Sequence, residues 1–316
     1  MSTTHTYKVV GDLALSVDIT KPPNFSQDDP LVLHFHGGYL MIGEKSSFPP
    51  YWLINACRHR NWAYATASYR LLPEASGLDM LSDSRDVTQW IYDNITTNII
   101  IAGSSAGGYL AFATAALPES PPIRSLLTVC GGFDFSRPKW IQPQGRPEDI
   151  AETIDALNAA IYNGHPVDSH PIPIDHAAAA QDKRIQLIKP FLAAAKFPEA
   201  LLHIPDIGLK IISQGLDTIP VSHRALFPLA FGVTDKFPPT VLIHGDQDVM
   251  VEFEESTSAA EKLKEVGVKF ILERAEGCGH GFDVQGPIDL DAVGSDEPMF
   301  YVNLRRGIEF LEQMVA

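Results

Sequence analysis

The sequence predicts an α/β protein, a mostly parallel, twisted sheet flanked by helices and covered by a helical lid insertion. Three observations carry this. Short apolar runs alternate with amphipathic stretches in both the first and last thirds of the chain. Several runs are almost continuously apolar, as strands buried on both faces are. Between Phe133 and Pro239 the alternation stops, and about a hundred residues intervene, far more than an ordinary strand-to-helix connection needs.

The elements follow in order. Residues Leu13 to Ile19 alternate like an edge strand, and Pro22, Pro23 and Gln27-Asp28-Asp29-Pro30 turn the chain. Leu31 to Phe35 is an apolar strand that runs into His36-Gly37-Gly38. Tyr51 to Arg60 reads as a helix, Trp62 to Tyr69 as a strand and Leu81 to Asp93 as an amphipathic helix. Asn98 to Ala102 is a strand, followed by a small-residue helix over Gly108 to Ala116 and a strand over Leu126 to Cys130. Late in the chain, Thr240 to His244 and Val268 to Leu272 are strands on either side of a helix over Phe253 to Val266. Pro298 to Met314 closes the chain as a helix with apolar residues at 300, 304, 308 and 311.

The middle stretch is rich in Pro, Ala and His, with helical pieces at Glu148 to Tyr162 and Gln181 to Ala195. Its Leu, Ile and Phe content argues against a disordered insert. The expected organisation is a core of residues 1–132 and 238–316, with a helical lid over 133–237.

Composition narrows the partners. The chain has 316 residues and a formal net charge of −15, which disfavours nucleic acid and anionic membrane surfaces. Three cysteines, Cys57, Cys130 and Cys278, form no C-x-x-C pair and no disulfide framework, which fits a reducing compartment. The first eleven residues lack the apolar core of a signal peptide, and no stretch is long and apolar enough to span a bilayer. A cytoplasmic location is expected, with no stable membrane insertion. A homodimer is left open.

The chemistry centres on Gly103-Ser104-Ser105-Ala106-Gly107, which sits between strand and helix. A G-x-S-x-G in that setting holds its serine on a strained turn, where the neighbours must be small. Ser105 is therefore the candidate nucleophile. A serine hydroxyl needs a base within hydrogen-bond reach, and the base needs an orienting carboxylate. Sites of this construction place the acid and then the histidine after the serine. His280, in Gly277-Cys278-Gly279-His280-Gly281, lies in a glycine-rich loop after the last strand and is the candidate base. Two aspartates compete for the acid. Asp248 is preferred because Val249 and Val251 can anchor its loop, and Asp246 is expected to bond local amides. The oxyanion is expected to rest on amides of Gly37, Gly38, Tyr39 and Ala106. His36 is expected to tie its own loop down. His165, His170, His176, His203 and His223 follow no zinc spacing and are expected on the lid surface or a pocket wall. Arg70 and Glu74 are expected to pair with each other as a structural brace. Tyr39, Phe133, Phe135 and Trp140 are candidates for an apolar pocket, with ordinary core as the alternative for each.

These motifs resemble the hormone-sensitive-lipase-like branch of the α/β-hydrolases. The likeness rests on His36-Gly37-Gly38, on Tyr69-Arg70-Leu71-Leu72-Pro73-Glu74 with Asp83 and Trp90 downstream, on Gly103 to Gly108, and on the surroundings of Asp248 and His280. It covers most of 31–130 and 238–312. The resemblance implies the α/β-hydrolase fold and a triad carboxylester hydrolase without metal or organic cofactor. Three features depart from the family pattern: Tyr39 stands where a third glycine is common, Ser104 stands where Asp is common, and the N-terminal segment is short. The expected substrate is a small, apolar ester or acyl compound. The alternatives are a lactone, a thioester or an acyl-carrier-bound intermediate of secondary metabolism, and, further off, a ligand-binding receptor without activity.

Overall fold

A computed structural model of the chain describes residues 2–144, 155, 156, 158–161, 164–173, 175–292, 294 and 297–316. Eight strands form one sheet: β1 (Ser2–Val10), β2 (Leu13–Thr20), β3 (Leu31–Phe35), β4 (Ala63–Ala67), β5 (Ile99–Ser104), β6 (Ser125–Val129), β7 (Thr240–Gly245) and β8 (Phe270–Ala275). Their spatial order is β1-β2-β4-β3-β5-β6-β7-β8. The first two pairings are antiparallel, and every pairing from β4 to β8 is parallel.

Period-two alternation divides the core into two layers. Leu31, Leu33, Ile99, Ile101 and Leu242 face one side of the sheet, while Val32, Ile100, Val241 and Ile243 face the other. On the second side sit α1 (Tyr51–His59), through Trp52 and Leu53, and the C-terminal helix Tyr301–Val315, through Leu304, Ile308 and Leu311. The first side takes α2 (Gly77–Asn94), α3 (Ala106–Ala115) and the helix Phe253–Glu265.

The expected elements are present with small boundary shifts. One strand was not read from the sequence. β1 is exposed along much of its length, so it carries no apolar alternation, and it is held by pairing to β2. Helix α2 also begins earlier than expected. Ser76 caps it, accepting from the Asp79 amide at 3.2 Å while the Asp79 carboxylate accepts from the Ser76 amide at 2.9 Å.

Between β6 and β7 the described residues form short helices, among them Pro138–Ile141, Lys183–Ala193, Phe197–Leu202 and Ile207–Gln214. Phe191, Phe197, Leu201, Ile207 and Leu226 from this stretch enter the same core as Tyr109 and Phe133. The helix expected over Glu148 to Tyr162 falls largely outside the described residues.

The expected Arg70–Glu74 pair does not form. Arg70 instead clasps Asp83, at 2.7 and 2.8 Å, and Asp79, at 2.8 Å. Both partners lie on α2, close to Arg70 in space, and Asp83 is fully buried. Glu74 is met by Arg184, from the helix Lys183–Ala193, at 2.8 and 2.7 Å. The same guanidinium donates to the carbonyls of Met41 and Leu72, each at 2.6 Å. Arg184 thus fastens the helical segment to two loops of the sheet domain at once, with a planar fork suited to that task.

Arg184→Ala leaves the Glu74 carboxylate, whose side chain is only 14% exposed, without its partner. The expected cost is about 3 kcal/mol, read as a shift of the urea midpoint. An unchanged midpoint would show that the clasp carries no stability.

Candidate active site

Ser105 occupies the turn between β5 and α3 with φ 54° and ψ −123°. This backbone region is costly for a non-glycine residue, and the surroundings hold it. Its amide donates to the Val129 carbonyl at 2.8 Å. A β-carbon on Gly103 would lie 2.1 Å from the Gly107 carbonyl oxygen, and one on Gly107 would lie 2.0 Å from that of Phe35. Neither position has room for any side chain, so both glycines follow from packing.

His280 reaches Ser105 from the loop after β8. Its Nε2 lies 2.9 Å from the Ser105 Oγ, and its Nδ1 lies 2.7 Å from Oδ2 of Asp248. Gly277 and Gly281, at φ 73° and 69°, supply the left-handed turns that bring this loop over the strand ends. Oδ1 of Asp248 accepts from the amides of Met250 and Val251, both at 2.9 Å. Burial pushes the Asp248 carboxyl up. Hydrogen bonds from His244, His280 and the Val251 amide, together with the His280 charge, outweigh burial and hold it well below the usual carboxylate range.

Asp246 has a different setting. It accepts from the Gly277 amide at 2.8 Å and pairs with Arg274 at 2.9 Å. The Gly277 bond is the main cause holding its carboxyl below the ordinary value. It pins the His280 loop from the outside.

His244 was not singled out in the sequence. It is fully buried at the end of β7, with Nδ1 2.7 Å from the Ser256 Oγ and Nε2 3.0 Å from the Val251 carbonyl and 3.3 Å from Asp248. The available signal was a polar residue after the apolar run Val241-Leu242-Ile243.

The loop after β3 brings Gly37, Gly38 and Tyr39 to the same place. Among the described residues, the amides of Gly37, Gly38, Tyr39 and Ala106 donate to no backbone carbonyl. Gly38 takes φ 116°, and a β-carbon there would lie 2.2 Å from the Ile42 carbonyl oxygen. Tyr39 and Leu40 follow in the left-handed region at φ 57° and 61°. His36 braces this loop. Its ring stacks on Tyr69 with centroids 4.6 Å apart, and its Nδ1 sits 2.7 Å from the Gly37 carbonyl. The Tyr69 hydroxyl donates to the His36 carbonyl at 2.8 Å. Burial pushes the His36 imidazole down to about 4, so the brace is neutral near pH 7. Ser104, in the place of the family's carboxylate, has its Oγ 3.3 Å from Nε2 of His34.

A cavity of about 390 Å³ opens on Ser105 and His280, with Gly37, Gly38 and Tyr39 in its wall. A smaller recess that also meets Ser105 and His280 is lined by Ala106, Phe135, Trp140 and Phe197. Phe133 instead packs on Phe112 inside the core. An outer groove shares Tyr39, Ile42 and Met250 with the cavity and carries Lys139 and Lys189. Of the histidines between β6 and β7, His170 pairs with Asp182 at 3.0 Å and His203 reaches the Pro73 carbonyl at 3.0 Å. His165 is exposed, His223 lies beside the Ser222 hydroxyl at 3.0 Å, and nothing is described of the His176 side chain.

Comparisons with known proteins agree with this architecture. Residues 32–204 match a family profile described as the α/β-hydrolase fold. The chain is 26% identical to non-reducing polyketide synthase pkbA of Emericella nidulans over 98% of its own length and 14% of the synthase. It spans 12 to 14% of the length of several such synthases. It is 23% identical to probable carboxylesterase M8 of a Phoma species, over 88% of each chain. Among solved structures, a Staphylococcus aureus protein of unknown function superposes with TM-score 0.68 at 20% identity, covering 99% of this chain and 100% of that one. The esterase Est2 of Thermogutta terrifontis superposes with TM-score 0.61 at 19% identity, covering 99% and 92%. Motifs, sheet order and profile coincide: the chain belongs to the α/β-hydrolases, in the hormone-sensitive-lipase-like branch.

Proposed function

We propose that the protein is a serine hydrolase that cleaves carboxylic esters through an acyl-enzyme. The observation that carries this is the unbroken hydrogen-bonded line from the Ser105 Oγ through both nitrogens of His280 to the carboxylate of Asp248. His280 takes the Ser105 proton as the oxygen attacks the ester carbonyl. Asp248 fixes the tautomer with Nδ1 protonated and offsets the imidazolium charge. The tetrahedral oxyanion rests on the amides of Gly38, Tyr39 and Ala106, with Gly37 adjacent, each donor lowering the barrier by about 3 kcal/mol. His280 then protonates the leaving alkoxide. Water repeats the sequence against the acyl-enzyme and frees the acid.

The segment 133–237 acts as the lid. Phe135, Trp140 and Phe197 from it line the small recess beside Ser105 and give an acyl group an apolar wall to pack against. The preferred partner is a small apolar ester or acyl compound.

A second reading keeps the relay and changes the donor to an acyl thioester or carrier-bound intermediate. Two observations favour it. The chain aligns with polyketide synthases over nearly its whole length. The outer groove also offers length and the exposed cationic side chain of Lys189, which suit an extended donor with an anionic tail; Lys139 beside it is engaged by the Val249 carbonyl and Glu252.

Ser105→Ala is expected to abolish p-nitrophenyl ester turnover while the far-ultraviolet circular dichroism stays unchanged. A fluorophosphonate should label the wild-type protein at Ser105 with one-to-one stoichiometry, and residual turnover in the variant would remove Ser105 from the mechanism.

Asp248→Asn is expected to reduce kcat by about 10⁴-fold, since the amide favours the wrong imidazole tautomer. Asp248 is held well below the usual carboxylate range, so its carboxylate is expected to add no step to the wild-type rate profile within that range. Carboxyl-carbon NMR that shows Asp248 titrating in the ordinary carboxylate range would contradict this.

Rates on matched short esters and acyl thioesters separate the two donors. A kcat/KM for the thioester more than about 10-fold above the ester, or about 1.4 kcal/mol in barrier, selects the second reading.

A further inference from the structure

Glu255 is a buried carboxylate that takes no part in the relay. It lies in the first turn of the helix Phe253–Glu265 and is 2% exposed. A carboxylate taken out of water is costly unless donors surround it, and Glu255 has three. Its Oε2 accepts from the amides of Phe133 and Asp134 at 2.8 and 3.0 Å, and its Oε1 accepts from Nε1 of Trp140 at 3.3 Å. Arg137 stands 3.9 Å from Oε1. These partners all belong to the stretch that leads from β6 into the helical segment. The next residue along the helix, Ser256, meets His244, and His244 lies beside Asp248. One turn of helix thus sets the Trp140 indole in register with the relay.

That indole stands at a partition. The recess that meets Ser105 measures about 20 Å³, little more than one water needs. The outer groove measures about 550 Å³. Tyr39, Trp140 and Met250 line both, so these three side chains part the one from the other. Trp140 also packs edge-on against Phe135, with centroids 5.1 Å apart. We propose that Glu255 is a positioning residue: by holding the Trp140 indole it keeps the recess closed toward the groove and limits the acyl group to a short one. This rests on the hydrolase reading above, with the acyl group against the Trp140 wall, and adds the substrate class, short-chain acyl donors. The cavity of about 390 Å³ is left for the leaving group. Glu255→Gln separates this role from anchoring of the backbone. The glutamine carbonyl can still accept from the two amides, but its amino group then faces the indole N–H, donor against donor.

The test compares kcat/KM for p-nitrophenyl acetate and p-nitrophenyl octanoate. The ratio is taken within each variant, so a general loss of activity cancels. The wild-type protein should favour the acetate. In Glu255→Gln the acetate-to-octanoate ratio should fall by about 5-fold or more, mostly through a lower KM for the octanoate. Trp140→Phe removes the indole donor and keeps a ring, and it should lower the ratio in the same sense. Adding Glu255→Gln to it should change the ratio no further, because both substitutions break one bond. The indole N–H resonance that Trp140→Phe deletes from the nitrogen–proton correlation spectrum should shift in Glu255→Gln. Should the glutamine variant not fold, Glu255→Asp, one methylene too short to meet the amides and the indole together, gives the same comparison. A wild-type preference for the octanoate, an unaltered ratio or an unmoved indole resonance without the glutamate, or effects that add in the double variant would each overturn the assignment. Absence of turnover on both esters would instead sink the hydrolase reading itself.

Discussion

The close crossing of β5, α3 and β3 around Ser105 is the constraint on which the rest of the site depends. The chain must leave β5, reverse through a left-handed residue and start α3 within two residues. Gly103 and Gly107 touch the backbone of their neighbours at distances no β-carbon tolerates. That packing over-determines the turn, so the strained residue stays put. Ser105, the amide after it and the start of α3 are then fixed by one local feature. His280 and Asp248 need only be delivered to it by loops at the ends of β8 and β7, two neighbouring parallel strands.

The carboxylates of the second loop divide the labour by their surroundings. Asp248 and Asp246 differ by two positions and both are held below the usual range, yet for separate purposes. Asp248 is buried, bonded to two amides and two imidazoles, and faces the relay. Asp246 spends its bonds on Gly277 and Arg274, which holds the loop that carries His280. The geometry of the relay therefore depends on a carboxylate that never meets it. His244 adds a second buried imidazole whose ring is held by Ser256 and Val251, which limits how far Asp248 can move.

Much of this was legible in the chain, for physical reasons. Strands buried on both faces announce themselves as apolar runs, and the Ser105 turn announces itself because only small residues fit beside it. β1 left no signal because most of its side chains are exposed; besides its pairing to β2 it is held by Tyr7 on the Ser68 carbonyl and by Lys8 on Asp83 and Asp86. The pairing of Arg70 was misread because nearness in sequence was taken for nearness in space. Residues 70 and 74 lie on one loop, but the guanidinium reaches α2, and Glu74 waits for Arg184, 110 residues away. The division into core and lid was drawn from a break in periodicity, which says where regular alternation ends and nothing of what the intervening helices touch.

Those contacts join the helical segment to the loop after β3 more directly than the word insertion suggests. The backbones of Gly43 and His170 exchange two hydrogen bonds, at 2.8 and 2.9 Å, and Arg184 holds the Met41 carbonyl. His170 in turn meets Asp182, the residue that caps the helix bearing Arg184 through the amides of Arg184 and Ile185. The stretch from Gly38 to Gly43 is thus braced on one side by His36 and Tyr69 from the sheet, and on the other by the helical segment. A displacement of that segment would carry the loop with it, since Met41 and Gly43 are tied to it and Gly38 has no steric freedom. The position of the helical segment and that of the Gly37–Tyr39 amides beside Ser105 are therefore one mechanical problem, solved by the same few hydrogen bonds.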